Sequence, residues 1–187
     1  MSRVVKLLFM IIIVASLFTG CTSIEEVKET KSVIPEINAQ TALQLRNEAI
    51  AKYYAVFVDG GEQCTSSLDE RLADKEEFYY YYCSDMDTKE KIKQYLKGSF
   101  TDTIVNHLLD TETIKMINGK LTYSPADVGS MLEWDQAKIK SITGSQTEKE
   151  ITFEVPDVDG EIETIKFELQ CEEDNRWKIN TYPVEFL

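Results

Sequence analysis

Between residues 150 and 180 the chain alternates apolar and polar side chains with a period of two, and this limits the fold more than any other feature. Ile151, Phe153 and Val155 interleave with Glu150, Thr152 and Glu154. Ile165, Phe167, Leu169 and Cys171 interleave with Lys166, Glu168 and Gln170, and Trp177 and Ile179 with Arg176, Lys178 and Asn180. Successive side chains of a strand point to opposite faces, so the pattern suits strands with one face buried. A helix would spread the same apolar groups around its whole circumference. Asp159-Gly160 and Asp174-Asn175 supply tight turns between these strands. A further strand is predicted over about 132–142, with Ala137 and Ile139 inward and Gly144-Ser145 turning the chain. Such a meander leaves one apolar face that something else must cover.

The cover is legible upstream. Thr41-Ala42-Leu43-Gln44 has the form of a capping box, in which Thr41 and Gln44 satisfy each other's amides. Ala42, Leu45, Ala49, Tyr53 and Val56 then recur at helical spacing, with Ile50 and Phe57 widening the stripe. The spacing predicts a helix over 42–58, stopped by Asp59-Gly60-Gly61. The aromatic run 77–83 reads as a strand. Asp87 with Glu90 predicts an N-cap for a helix over 88–98, and Thr101 one for a helix over 102–116 with Ile104, Val105, Leu108 and Leu109 buried. Asn118-Gly119 marks a turn. The expected fold is α+β: three N-terminal helices packed on a C-terminal four-stranded antiparallel meander sheet, in a single domain over 39–187. At 187 residues the chain can bury a core without staples.

The N-terminus reads as an address. Arg3 and Lys6 precede a 12-residue apolar run over 7–18, interrupted only around Ala15 and Ser16. A spanning helix needs about 20 residues, so residues 1–20 are expected to be a signal peptide. Leu17-Phe18-Thr19-Gly20-Cys21 resembles the bacterial lipoprotein signal, with Phe18 in place of the usual Leu. On that resemblance Cys21 is the lipidation site and membrane contact runs through the lipid anchor, with ordinary secretory cleavage nearby as the alternative. Residues 21–38, mixed in charge around Pro35, read as the lipidated Cys and a tether. The expected location is extracytoplasmic, at the bacterial cell membrane.

Charge and chemistry narrow the function. The chain carries 33 Asp and Glu against 20 Lys and Arg, a net charge of -13. Removing Arg3 and Lys6 with the leader leaves 18 basic groups against 33 acidic ones, a net of -15. Such a surface repels phosphate backbones, so no nucleic-acid partner is expected. With Cys21 lipidated, Cys64, Cys83 and Cys171 permit at most one internal disulfide. Cys64–Cys83 would close a loop, while Cys171 falls on an apolar strand face and reads as buried and inert. No CxxC or Cys/His cluster supports a metal, and no cofactor is expected. Asp157-Val158-Asp159-Gly160-Glu161 has too few alternating oxygens for a calcium loop and reads as a hairpin turn. Asp85 and Asp87 need no role beyond capping and solvation. His107, the sole imidazole, could serve Cys83 as a base, but the common hydrolase, kinase and dinucleotide motifs are missing, so no enzyme is expected.

Two features remain as candidate binding elements. Four consecutive tyrosines place two rings on each strand face, and Tyr79 and Tyr81 form the candidate aromatic patch. Residues 118–132 hold Gly119, Pro125 and Gly129 and read as an exposed loop of defined shape.

Residues 38–61 (NAQTALQLRNEAIAKYYAVFVDGG), 79–101 (YYYYCSDMDTKEKIKQYLKGSFT) and 119–142 (GKLTYSPADVGSMLEWDQAKIKSI) together resemble the bacterial DL-endopeptidase inhibitor family, IseA-like, over roughly 38–183. The resemblance implies a protein that binds and inhibits NlpC-type cysteine peptidoglycan hydrolases outside the cell, and a monomer is expected. Its inhibitory loop falls by position within 120–130, which makes Tyr123, Ser124, Pro125, Ala126, Asp127, Gly129 and Ser130 the candidate site. A lipid anchor would depart from a freely secreted inhibitor. Helices before a curved sheet also resemble the cone-shaped folds related to nuclear transport factor two, which would imply a small-ligand or assembly lipoprotein with a pocket lined by Tyr53, Tyr80, Phe153 and Trp177.

Overall fold

The computed structural model describes residues 34–187 apart from Glu76 and Val128. The expected leader, the lipid attachment at Cys21 and most of the tether lie outside the described residues.

Helix α1 spans Ala39–Tyr54 and continues as a π turn, Ala55–Asp59. It begins three residues before the predicted start at Ala42 because Asn38 is the cap: its side chain accepts from the Thr41 amide at 2.9 Å. Gln44 donates instead to Glu48 one turn on, at 2.8 Å. The wider π turn brings three consecutive residues, Ala55, Val56 and Phe57, into the interior. Gly60 then ends the helix in the left-handed region, φ +73°.

Helix α2 (Lys89–Leu96) starts one residue later than predicted, capped by Thr88, whose hydroxyl accepts from the Lys91 amide. Asp87, the expected cap, pairs with the Lys91 ammonium at 2.6 Å. Helix α3 (Asp102–Leu109) has the predicted cap, Thr101, and the predicted buried residues, but it is seven residues shorter than expected. Residues 114–117 are a strand. Asn118 and Gly119 both have positive φ, +51° and +75°, the geometry of a two-residue hairpin turn. That turn folds strand β3 (Ile114–Ile117) onto β4 (Lys120–Tyr123) in antiparallel register.

The expectation of one sheet is therefore corrected: the described residues form two four-stranded antiparallel sheets and three α-helices. The first sheet adds β1 (Leu72–Asp74) and β2 (Tyr79–Tyr81) in the order β1-β2-β4-β3. Helices α2 and α3 are thus inserted between β2 and β3. The second is the predicted meander of β5 (Lys138–Gly144), β6 (Glu148–Pro156), β7 (Ile162–Cys171) and β8 (Trp177–Ile179). Its first strand begins six residues later than expected because Trp134–Gln136 is a 3-10 turn.

One apolar core joins the layers. Phe153 stacks on Phe167 at 5.9 Å between centroids, and Phe167 meets Phe186 at 5.5 Å. Each such ring, fully buried, contributes about 1.5–3 kcal/mol. The segment between the short helices locks onto the meander: Thr101 donates to the Ile179 carbonyl at 3.0 Å, and Ile179 donates back to Ser99 at 2.9 Å. Cys64 and Cys83 form a disulfide that staples the loop after α1 to the end of β2, and Cys171 is a buried free thiol.

Candidate protein-contact site

The connection from β4 to β5 is held at both ends and open in the middle. At its start Tyr123 is fully buried. A side chain on Gly60 would lie 2.3 Å from the Tyr123 ring, so ring and glycine are in closest contact. Its hydroxyl accepts from Arg71 Nη1 at 3.3 Å, and the ring lies 4.7 Å from Tyr82. Burial raises the phenol's pKa. Tyr123 therefore anchors the loop from beneath and offers no surface to a partner, a correction to its place among the contact residues. The next residues are pinned by backbone bonds. Ser124 donates to Thr113 at 2.9 Å and Ala126 to Phe57, on the π turn, at 2.8 Å. Ser124, Pro125 and Ala126 are half-buried.

Beyond them Asp127, Gly129, Ser130 and Met131 are exposed. The chain is recaptured at the meander. Met131 accepts from Val158 at 3.0 Å, Leu132 bridges Asp157, and Glu133 donates to Pro156 at 2.7 Å. Trp134 fixes the far end. Its ring lies under the Arg46 guanidinium at 3.9 Å and edge-on to Phe153. Arg46 is 7% exposed and gives Nε and Nη2 to the Phe186 carbonyl at 3.2 and 2.9 Å. Desolvation lowers its pKa to about 10. The result is a short exposed segment whose ends cannot move independently, which lowers the entropy cost of docking it.

Sequence reasoning missed Arg46 and Trp134. The signal was present, because Arg46 lies in the α1 stripe with Ala42, Ala49 and Tyr53. A cation in that stripe must find polar partners, and here they come from residue 186 and from an indole face.

The aromatic strand divides as predicted into two faces. Tyr79 and Tyr81 are half-buried on the outer one, with their ring faces and hydroxyls engaged. The Lys115 ammonium lies 3.7 Å from the Tyr79 centroid and pairs with Glu77, and the Tyr79 hydroxyl donates to Glu112 at 2.8 Å. Lys120 lies 5.3 Å over Tyr81, whose hydroxyl accepts from Asn118 at 3.4 Å. Tyr80 turns inward toward Tyr123.

Tyr53, Phe153 and Trp177, expected around a ligand pocket, are all buried in the continuous core. Trp177 donates its indole N–H to Pro35 at 2.7 Å. Cys83, being in a disulfide, offers no thiolate to His107, which is exposed and lies 4.9 Å from the Tyr182 ring. The 157–161 segment is the predicted turn: Asp157 Oδ1 accepts from the amides of Asp159 and Glu161, both at 2.9 Å.

The sequence profile of the family described as "IseA DL-endopeptidase inhibitor" matches residues 33–184. A relative from Bacillus subtilis (strain 168), described as "Uncharacterized protein YoeB", is 29% identical over 104 residues. That match covers 56% of this chain and 58% of the relative.

Proposed function

The chain belongs to the IseA DL-endopeptidase inhibitor family, and we propose that it binds and inhibits an NlpC-type cysteine DL-endopeptidase that cleaves peptidoglycan. It does so as a non-catalytic monomer, by occupying the cleft of the hydrolase with the exposed part of the β4–β5 connection. The observation that carries this reading is that Asp127, Gly129 and Ser130 are exposed between two pinned ends. Inhibition needs a rigid, presented segment and no proton-handling groups. The acidic surface would speed encounter with a basic enzyme, an effect that salt weakens.

On the same reading the protein is a cell-envelope lipoprotein held through Cys21. That would confine it to the space between membrane and wall. Cys21→Ser should then release it from the membrane fraction.

The inhibitor reading is tested by following wall lysis by a purified DL-endopeptidase as turbidity. Added protein should suppress lysis stoichiometrically, and Ser130→Trp in the exposed segment should restore it. Undiminished lysis at tenfold excess of protein over several such enzymes would refute the reading.

A further inference from the structure

We propose that the tip of the β6–β7 hairpin is a second contact element, forming with Met131 an apolar knob ringed by carboxylates. Its occupant is an apolar depression rimmed by lysine or arginine side chains, beside the cleft of the hydrolase inhibited by the β4–β5 connection. The inference rests on the inhibitor reading and extends it to a surface outside that connection.

Met131, Val158 and Ile162 are 58%, 62% and 59% exposed. Single exposed aliphatics are ordinary on a soluble surface, but these three are brought together. Val158 donates its amide to the Met131 carbonyl, and Ile162 stands opposite Pro156 in the ladder, two residues before Val158. The tip is also stiff. Asp157 Oδ1 accepts two amides across the turn, and the Asp157 amide donates to Glu161 at 2.9 Å. None of these three side chains belongs to the core, to which β6 and β7 give Ile151, Phe153, Val155, Phe167, Leu169 and Cys171.

Charge indicates the kind of partner. Residues 127–135 and 157–163 hold seven acidic side chains and no basic one. Asp127, Asp159, Glu161 and Glu163 are exposed, and none makes an ion pair among the described residues. Elsewhere the surface mixes its signs. Lys115 and Glu77 pair on the first sheet, and Lys140 and Lys166 pair with Glu154 and Glu150 on the meander. An apolar centre with a rim of one sign is the anatomy of a docking patch for a surface of opposite sign.

The test measures binding of the full chain, in detergent, to a purified DL-endopeptidase catalytic domain. Three variants are compared: Val158→Ser/Ile162→Ser, Asp159→Asn/Glu161→Gln/Glu163→Gln, and Met116→Ser. Met116 is an equally exposed apolar residue on the first sheet, 60% accessible. The apolar double variant should weaken binding about tenfold or more with an unchanged melting temperature. The charge variant should slow association and flatten its salt dependence, and Met116→Ser should match the unaltered protein. Unchanged affinity of the double variant, with inhibition by the unaltered protein intact, overturns the hairpin proposal and leaves the inhibitor reading standing. Absence of binding and inhibition by the unaltered protein overturns the inhibitor reading itself. A dimer of this chain that the double variant dissolves also overturns the hairpin proposal, since the patch would then be filled by a second copy.

Discussion

Gly60→Ala probes the junction on which the loop's first anchor depends. Gly60 has φ +73°, where an L side chain costs about 1–2 kcal/mol. An added Cβ would lie 2.3, 2.5 and 2.7 Å from Cε1, Cζ and Oη of Tyr123. Tyr123 cannot swing aside because it is fully buried against Tyr82 and bonded to Arg71. Forcing a methyl into such packing costs about 1–3 kcal/mol more. The sum, about 2–5 kcal/mol, is a large part of an ordinary domain's stability and lowers the melting temperature by about 5–20 °C. Gly119→Ala is the internal control. Gly119 has φ +75° but nothing within 4 Å of an added Cβ, so it should lose only the backbone contribution. Urea unfolding of both variants, with calorimetry alongside, separates the two effects. If Gly60→Ala falls within about 0.5 kcal/mol of Gly119→Ala, the close packing of Tyr123 under the helix end is wrong, since distinct mechanisms should not converge.

Three further outcomes follow from the same geometry. Reducing the Cys64–Cys83 disulfide, whose residues are 19 apart in sequence, should cost about 3 kcal/mol, read as a shift of the urea midpoint in dithiothreitol; an unchanged midpoint would show that the disulfide is energetically idle. Arg46→Ala removes two donors from the Phe186 carbonyl and the cation from the Trp134 face, so it should destabilise by about 2–4 kcal/mol and weaken inhibition beyond its effect on folding; inhibition that tracks stability alone would remove Arg46 as a positioning residue for the loop. Burial raises the pKa of Tyr53, Tyr82, Tyr95 and Tyr123, with the bond to Glu62 adding to the shift of Tyr95. A phenol whose folded pKa exceeds its unfolded value contributes stability that is complete below about pH 10 and is lost as pH rises above it. Arg46, lowered to about 10, and Lys52, also lowered by burial, pull the other way over the same range, but they are two groups against four. Tyrosinate absorbance should therefore rise in two phases, the second coinciding with loss of far-ultraviolet ellipticity. Ionisation of all nine tyrosines in one phase with the fold intact would refute this.

How much of this was legible beforehand depended on how local each signal is. The meander was readable because alternation is a property of neighbouring residues, and Ile151, Phe153, Val155, Phe167 and Leu169 are all buried as the pattern requires. Helix α3 was overextended because residues 110–117 lack a strong period, and Ile114 and Ile117 are compatible with a helix until their partners across Asn118-Gly119 are counted. Within the candidate loop, the sequence does not reveal that Tyr123 is buried. Nothing near Tyr123 in sequence shows that Gly60 and Arg71 close over it.

From its sequence alone the chain determined its class: an α+β fold with a half-buried C-terminal meander, an acidic surface, and turn residues at every hairpin of that meander. Those properties follow from side-chain periodicity, charge and backbone preference, which act over a few residues. Only the tertiary structure decided that the tyrosine strand and the 114–123 hairpin make a second sheet, that Arg46 holds Trp134, and that Met131 meets Val158. Each of these joins groups far apart along the chain, and such contacts are selected by the shape and polarity of a core that exists only once the chain has folded.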